Sequence, residues 1–170
     1  NTTGYANVAI GCDALQSNTE GFSNTVVGTD ALEDNTTGDL NVAIGKSALG
    51  NNTTADNNTA VGSCALKANT TGCRNVAMGS QAGDANTTGD CNTAIGFGSL
   101  STATTADHNT MIGAGAGNSI TTGANNTAVG RCSMTENTTG ENNTAVGIQA
   151  LEDNTTGAAN TALGIHAMEK

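Results

Sequence analysis

One pentapeptide returns every seventeen residues along the whole chain, and any fold must accommodate that period. In its cleanest form it reads Asn143-Thr144-Ala145-Val146-Gly147. Its asparagine stands at Asn7, Asn24, Asn41, Asn58, Asn75, Asn92, Asn109, Asn126, Asn143 and Asn160. Its glycine stands at Gly11, Gly28, Gly45, Gly62, Gly79, Gly96, Gly113, Gly130, Gly147 and Gly164. Threonine at the second position of the unit runs unbroken from Thr2 and Thr19 to Thr155. Ten units of seventeen account for all 170 residues, with no insertion or deletion. Such self-similarity marks an array in which each unit buries its apolar face only against its neighbours. Residues 1–170 are therefore read as a single repeat domain.

The consensus is N-T-T-G-x-x-N-T-A-V-G-x-x-A-L-x-x, and its two glycines divide the unit into two short extended pieces. Glycine turns a chain at positive φ without steric cost, and seventeen residues interrupted twice leave little room for a helix. The piece ending at the tenth position is rich in Val, Ile and Thr, which suit a strand. Each unit thus reads as one β-coil, and the fold class as all-β, a parallel β-solenoid of ten 17-residue coils. The absence of proline fits a chain whose N–H groups donate to a neighbouring coil. Stacking at strand spacing, about 4.8 Å per coil, predicts a rod roughly 50 Å long. Positions eight and ten share one face and the alanine at nine takes the other; both faces are small enough to be covered.

Composition excludes more than it suggests. The three aromatics, Tyr5, Phe22 and Phe97, cannot fill an ordinary core, so order must come from stacking and from association with other chains. Tyr5 and Phe22 occupy the same place in successive coils and are expected to stack. Fifteen acidic against five basic residues give a net charge of −10, the wrong sign for a nucleic-acid partner. No apolar run is long enough to span a bilayer and no secretory signal is present. The first residue is not methionine and no capping unit is recognisable, so the chain reads as a piece of a longer fibre or as a subunit that joins end to end.

Stacking turns each repeat position into a column. The Asn7 to Asn160 column predicts an amide ladder or a series of turns. In the sixth to eighth repeats Ala103 and Ile120 replace the first asparagine and Gly117 replaces the usual leucine, so a bulge or bend is expected there. Cys12, Cys64, Cys73, Cys91 and Cys132 are odd in number and sit at variable positions. Cys73 and Cys91 lie one coil plus one residue apart, within reach of a bridge if coils stack.

The runs Asn7-Val8-Ala9-Ile10-Gly11, Asn41-Val42-Ala43-Ile44-Gly45 and Asn75-Val76-Ala77-Met78-Gly79 are each followed by alanine three residues after the glycine. They resemble the S-V-A-I-G-x-x-A repeats of YadA-like trimeric autotransporter adhesin heads. Over its whole length the chain is also similar to N-T-T-G-x-x-N-T-A-x-G-x-x-A-L arrays of phage tail-fibre-like proteins. The first resemblance implies a parallel β-roll packed as a homotrimer, with a cell-surface or matrix ligand. Both imply an extracellular, cell-surface or virion location.

Signals for chemistry are sparse. His108 and His166 have no recurring Cys, Asp or Ser partner, so neither a catalytic nor a metal site is assigned to them. Gly113-Ala114-Gly115-Ala116-Gly117 lacks the lysine of a phosphate-binding loop. No cofactor site is recognisable. Asp39 with Asp56 and Asp90 with Asp107 fall at the fifth position of adjacent coils, where Ca²⁺ would relieve their repulsion and solvent is the alternative. N-x-S/T sequons such as Asn35-Thr36-Thr37 arise from the repeat itself. The expected function is a non-enzymatic structural or adhesive fibre segment. The alternative is an ice- or surface-binding solenoid using the threonine columns at positions two and three, of which only one can face outward in an extended segment.

Overall fold

A computed structural model describes residues 1–169. Ten three-residue strands, one per repeat, run from β1 (Val8–Ile10) through β5 (Val76–Met78) to β10 (Thr161–Leu163), and among the described residues there is no helix. They form one parallel sheet in chain order, β1 to β10. Each residue pairs with its equivalent seventeen positions away, as Val42, Ala43 and Ile44 pair with Thr59, Ala60 and Val61. Parallel neighbours need a long connection, and here the remaining fourteen residues of the coil supply it.

Coil-to-coil bonding extends well beyond the strands. Leu32 N–H donates to Ala48 O at 2.9 Å, Thr36 N–H to Thr53 O at 2.8 Å and Gly62 N–H to Ile44 O at 2.8 Å. Backbone groups therefore find partners around most of the coil, which meets the requirement that buried N–H and C=O groups be paired. Register is unbroken through the sixth to eighth repeats, where Thr93, Ala94 and Ile95 pair with Thr110, Met111 and Ile112, and these pair in turn with Thr127, Ala128 and Val129. The bulge expected there does not occur.

The interior is narrow and built from positions nine, fourteen and fifteen. Ala43, Ala48 and Leu49 of one coil are fully buried and stack on Ala60, Ala65 and Leu66 of the next. Small side chains at nine and fourteen let the walls of the coil approach closely, and the leucine fills what remains. Position nine is larger at Val26 and Met111, both fully buried.

The turns differ from the two-glycine expectation. Of the two consensus glycines, only that at position eleven lies at positive φ, between 127° and 141° in all ten repeats. An added Cβ at Gly28 would stand 2.5 Å from Gly45 O. The glycine at position four has no positive φ and is favoured by proximity: a Cβ on Gly21 would meet Gly38 O at 2.5 Å unless the coils shift. Alanine takes that place at Ala55 and Ala106, and both are buried. The other turns fall at positions six, thirteen and fifteen, mostly on non-glycine residues such as Leu40, Ser47 and Leu49, at φ of 58°, 54° and 51°. Left-handed backbone costs about 1–2 kcal/mol for a residue with a side chain. At position fifteen, burial of the leucine, about 1.5–3 kcal/mol, offsets that cost.

Candidate functional site

Two asparagine columns face inward. In the seventh-position column, Asn41 N–H donates to Asn24 Oδ1 at 2.9 Å, Asn41 Nδ2 donates to Ala55 O at 2.8 Å, and Asn58 N–H donates to Asn41 Oδ1 at 2.9 Å. In the first-position column the amides bond to one another: Asn52 Nδ2 reaches Asn35 Oδ1 at 2.9 Å and Ala55 O at 3.1 Å, and Asn69 Nδ2 reaches Asn52 Oδ1 at 3.0 Å. Both columns are buried along the middle of the rod. Their role is to close the coil with satisfied polar groups, since a buried amide without partners would destabilise it. Where Ala103 replaces the next asparagine, Asn86 Oδ1 is left buried without a hydrogen bond. Asn35, the acceptor residue of the Asn35-Thr36-Thr37 sequon, is fully buried in this ladder.

Position two carries a hydroxyl ladder. Thr36 Oγ1 donates to Thr53 O at 3.0 Å, and Thr53 Oγ1 donates to Thr70 O at 3.1 Å. The column at position three, including Thr37, Thr54, Thr71 and Thr88, is exposed.

The fifth-position aspartates have a structural task that the repeat did not reveal. Asp39 Oδ1 accepts Phe22 N–H at 2.8 Å, Asp56 Oδ1 accepts Asp39 N–H at 2.8 Å, and Asp107 Oδ1 accepts Asp90 N–H at 2.8 Å. One oxygen of each carboxylate thus terminates a backbone donor from the preceding coil, so stacking of like charges is accompanied by a charge-assisted bond at every step. Tyr5 and Phe22, at the same position, stack with ring centroids 5.1 Å apart and planes 4° apart.

All five cysteines are free thiols. Cys73 and Cys91 do lie on touching coils, Cys91 N–H donating to Cys73 O at 3.0 Å. Cys73 Sγ accepts Asp56 N–H at 3.5 Å. His108 is exposed at a left-handed turn. His166 has acidic neighbours that its sequence surroundings only half disclose: Nδ1 lies 3.2 Å from Glu169 Oε2, and a ligand atom of Glu152, fourteen residues back, is within 4.8 Å of both residues. One histidine and two carboxylates are a donor set that suits a divalent cation. Gln149 Nε2 already donates to Glu152 Oε2 at 2.8 Å, so part of the cluster is satisfied internally.

The largest feature is the outward side of the sheet. Position ten is apolar in every repeat, and Ile10, Ile44, Met78 and Ile112 are exposed by 61%, 39%, 43% and 37%. Val42 and Val76 flank this row at position eight. The chain covers the alanine side of its strands and leaves this side open, so the expectation that both faces are covered is met on one side only. The apolar row follows the full sheet and is not a set of scattered surface hydrophobes. The outer edges of β1 and β10 are unpaired. A hollow of about 340 Å³ lies at the tenth repeat, bordered by Leu151, Asn154, Asn160 and Met168. Among the described residues no helix is long and apolar enough to cross a membrane. Comparison with protein-family models, curated proteins and solved structures finds no match, so function must be read from this geometry alone.

Proposed function

We propose that the chain is a non-enzymatic fibre segment that assembles side by side through its outward apolar row, as a homotrimer, in an extracellular or virion appendage with a structural or adhesive role. The observation that carries this reading is the row itself. A stripe of Ile, Val and Met running the length of a rod this acidic is costly to leave in water, and a closed symmetric assembly covers it on every copy at once. Three copies around one axis enclose the row of each chain, which agrees with the homotrimer implied by the adhesin-like repeats. Unpaired edges at β1 and β10 favour end-to-end contact between copies.

The ice-binding alternative is less well supported. Its second threonine column is committed to backbone carbonyls, leaving a single exposed row at position three. Mass measurement by light scattering tests the proposal directly. The expected mass is about 50 kDa, three copies of the 16.7 kDa chain, with a β-type circular-dichroism spectrum. A species that remains monomeric at high concentration would remove the assembly half of the reading.

A further inference from the structure

In three of the ten coils the corner between positions thirteen and sixteen is closed by a side-chain clasp. Gln16 Nε2 donates to Asp13 Oδ1 at 2.8 Å, Gln149 Nε2 to Glu152 Oε2 at 2.8 Å, and His166 pairs with Glu169. In the sixth and seventh repeats position thirteen is Gly98 and Gly115, so no clasp can form. A Cβ built on Gly98 would have no atom within 4 Å. The space is a cleft of about 280 Å³ bordered by Gln81, Asp84, Phe97, Gly98, Ser101 and Asn118, drawn from three successive coils.

Its lining is unlike the rest of the rod. Phe97 presents an exposed aromatic ring. Asp84 Oδ1 is buried yet accepts no hydrogen bond, one of only two such side-chain atoms among the described residues. That oxygen is closed off from solvent, so the half-buried carboxyl meets the cleft through its other oxygen. Ser101 Oγ donates to Asn118 Oδ1, which leaves the amide nitrogen as the donor that Asn118 offers. Burial raises the Asp84 carboxyl above its ordinary value of 3.8, opposed by its own and the Ala85 backbone N–H groups and by the Lys67 ammonium.

We propose that this cleft binds one pyranose unit of a saccharide, with an apolar C–H face of the sugar on the Phe97 ring, a ring hydroxyl donating to Asp84, and further hydroxyls met by Asn118 and Gln81. The chemistry is that of a small cleft with a few converging polar groups around an apolar platform. Its volume lies just below the usual range for small-molecule sites, about 300–1,000 Å³, so it holds a single sugar ring rather than a long oligosaccharide. A single carboxylate with neutral amides and a hydroxyl favours a neutral polyol over a phosphate or another anion. The proposal deepens the adhesive part of the reading above and rests on it.

Saturation-transfer NMR and calorimetry of the full chain with methyl glycosides of glucose, galactose, mannose and N-acetylglucosamine provide the test. At least one glycoside should bind at one site per chain. Gly98→Gln should weaken that binding by about tenfold or more by filling the cleft. The variant should fold, because Gln81 and Gln149 occupy the same corner at φ of 59° and 55°, and Gly98 itself has φ 59°. Asp84→Asn should also weaken binding, yet it should raise the melting temperature at neutral pH. A carboxyl whose folded pKa is raised stabilises the fold fully only below 3.8 and loses that contribution as pH rises through the folded value, so the gain should vanish in acid. A merely structural aspartate would instead lose stability on this change. No binding by any of the four glycosides, binding unchanged in Gly98→Gln, or a site filled by Ca²⁺ alone would each overturn the proposal. Mass measured on the same samples separates the two readings: a trimer that binds no sugar removes this site and leaves the fibre, whereas a monomer that binds sugar does the reverse.

Discussion

At Gly147 the backbone has φ 135°, and an added Cβ would run into Gly164 O of the next coil. Two independent penalties therefore meet at one atom, a backbone region closed to β-branched residues and a clash with a carbonyl that cannot rotate away. Gly147→Val should lower stability by roughly 3 kcal/mol or more, enough to prevent folding of the last coils. Two residues on, Gln149 sits at φ 55° and contributes one hydrogen bond to Glu152. Gln149→Ala should cost about 1 kcal/mol or less. Urea titrations of the two variants provide the comparison; equal midpoints would show that position eleven is not the obligatory turn. Both glycines of the unit were legible in the repeat, but their roles were not. Proximity to Gly38 O explains Gly21, and steric freedom at positive φ explains Gly28, a distinction that depends on the neighbouring coil.

Among the coils, the seventh repeat shows how an element tolerates departure from the pattern without losing register. Met111 stands where most coils have alanine, Gly117 stands where most have leucine, and Ile120 begins the next coil in place of asparagine. A Cβ on Gly117 would lie 2.5 Å from Met111 Sδ and 3.0 Å from Ile120 Cδ1. The larger residues have moved into the volume that the leucine vacated, so local packing is conserved although each position looks anomalous alone. Restoring the consensus at one place should therefore harm the coil. Gly117→Leu is expected to cost about 1–3 kcal/mol by overpacking, and Met111→Ala about 2–5 kcal/mol by leaving a void. The double variant should recover most of both losses, and a double-mutant cycle from denaturation midpoints measures that coupling. Additive losses would mean that Met111 and Gly117 do not share one cavity. The sequence suggested a bulge here because it displays substitutions singly, whereas the compensation is between residues six and nine positions apart.

For the rod as a whole, the relevant contrast is between its two long sides. Asparagine and threonine ladders satisfy polar groups inside and along the coil, while the apolar row at position ten remains open on the sheet. Replacing Ile44 and Ile112 with glutamate puts two charges on that row without touching the buried Ala43 or Met111 beneath it. Charges at the centre of an apolar contact disfavour association by several kcal/mol, while exposed strand positions tolerate them in the isolated chain. Ile44→Glu/Ile112→Glu should shift the mass measured by light scattering from trimer to monomer and keep the β-type spectrum. An unchanged mass would place the contact on another face.

The period alone determined that equivalent residues stack seventeen apart, that the strand lies around position nine, that alanine and the Val/Ile column take opposite faces, and that asparagines form columns. These follow because parallel stacking in constant register admits one partner for each position. Only the tertiary structure decided which way the remaining columns turn. Leucine at position fifteen accepts a left-handed backbone because its side chain then fills the core, the threonine at position two bonds along the stack while that at position three faces water, and the Asp39 carboxylate caps a backbone N–H of the coil before it. The nearness of Glu152 to His166 and the open corner at Gly98 belong to the same class. Each depends on the shape of the coil between its strands, where hydrogen bonds and packing with the adjacent coil, rather than local preference, select the backbone angles.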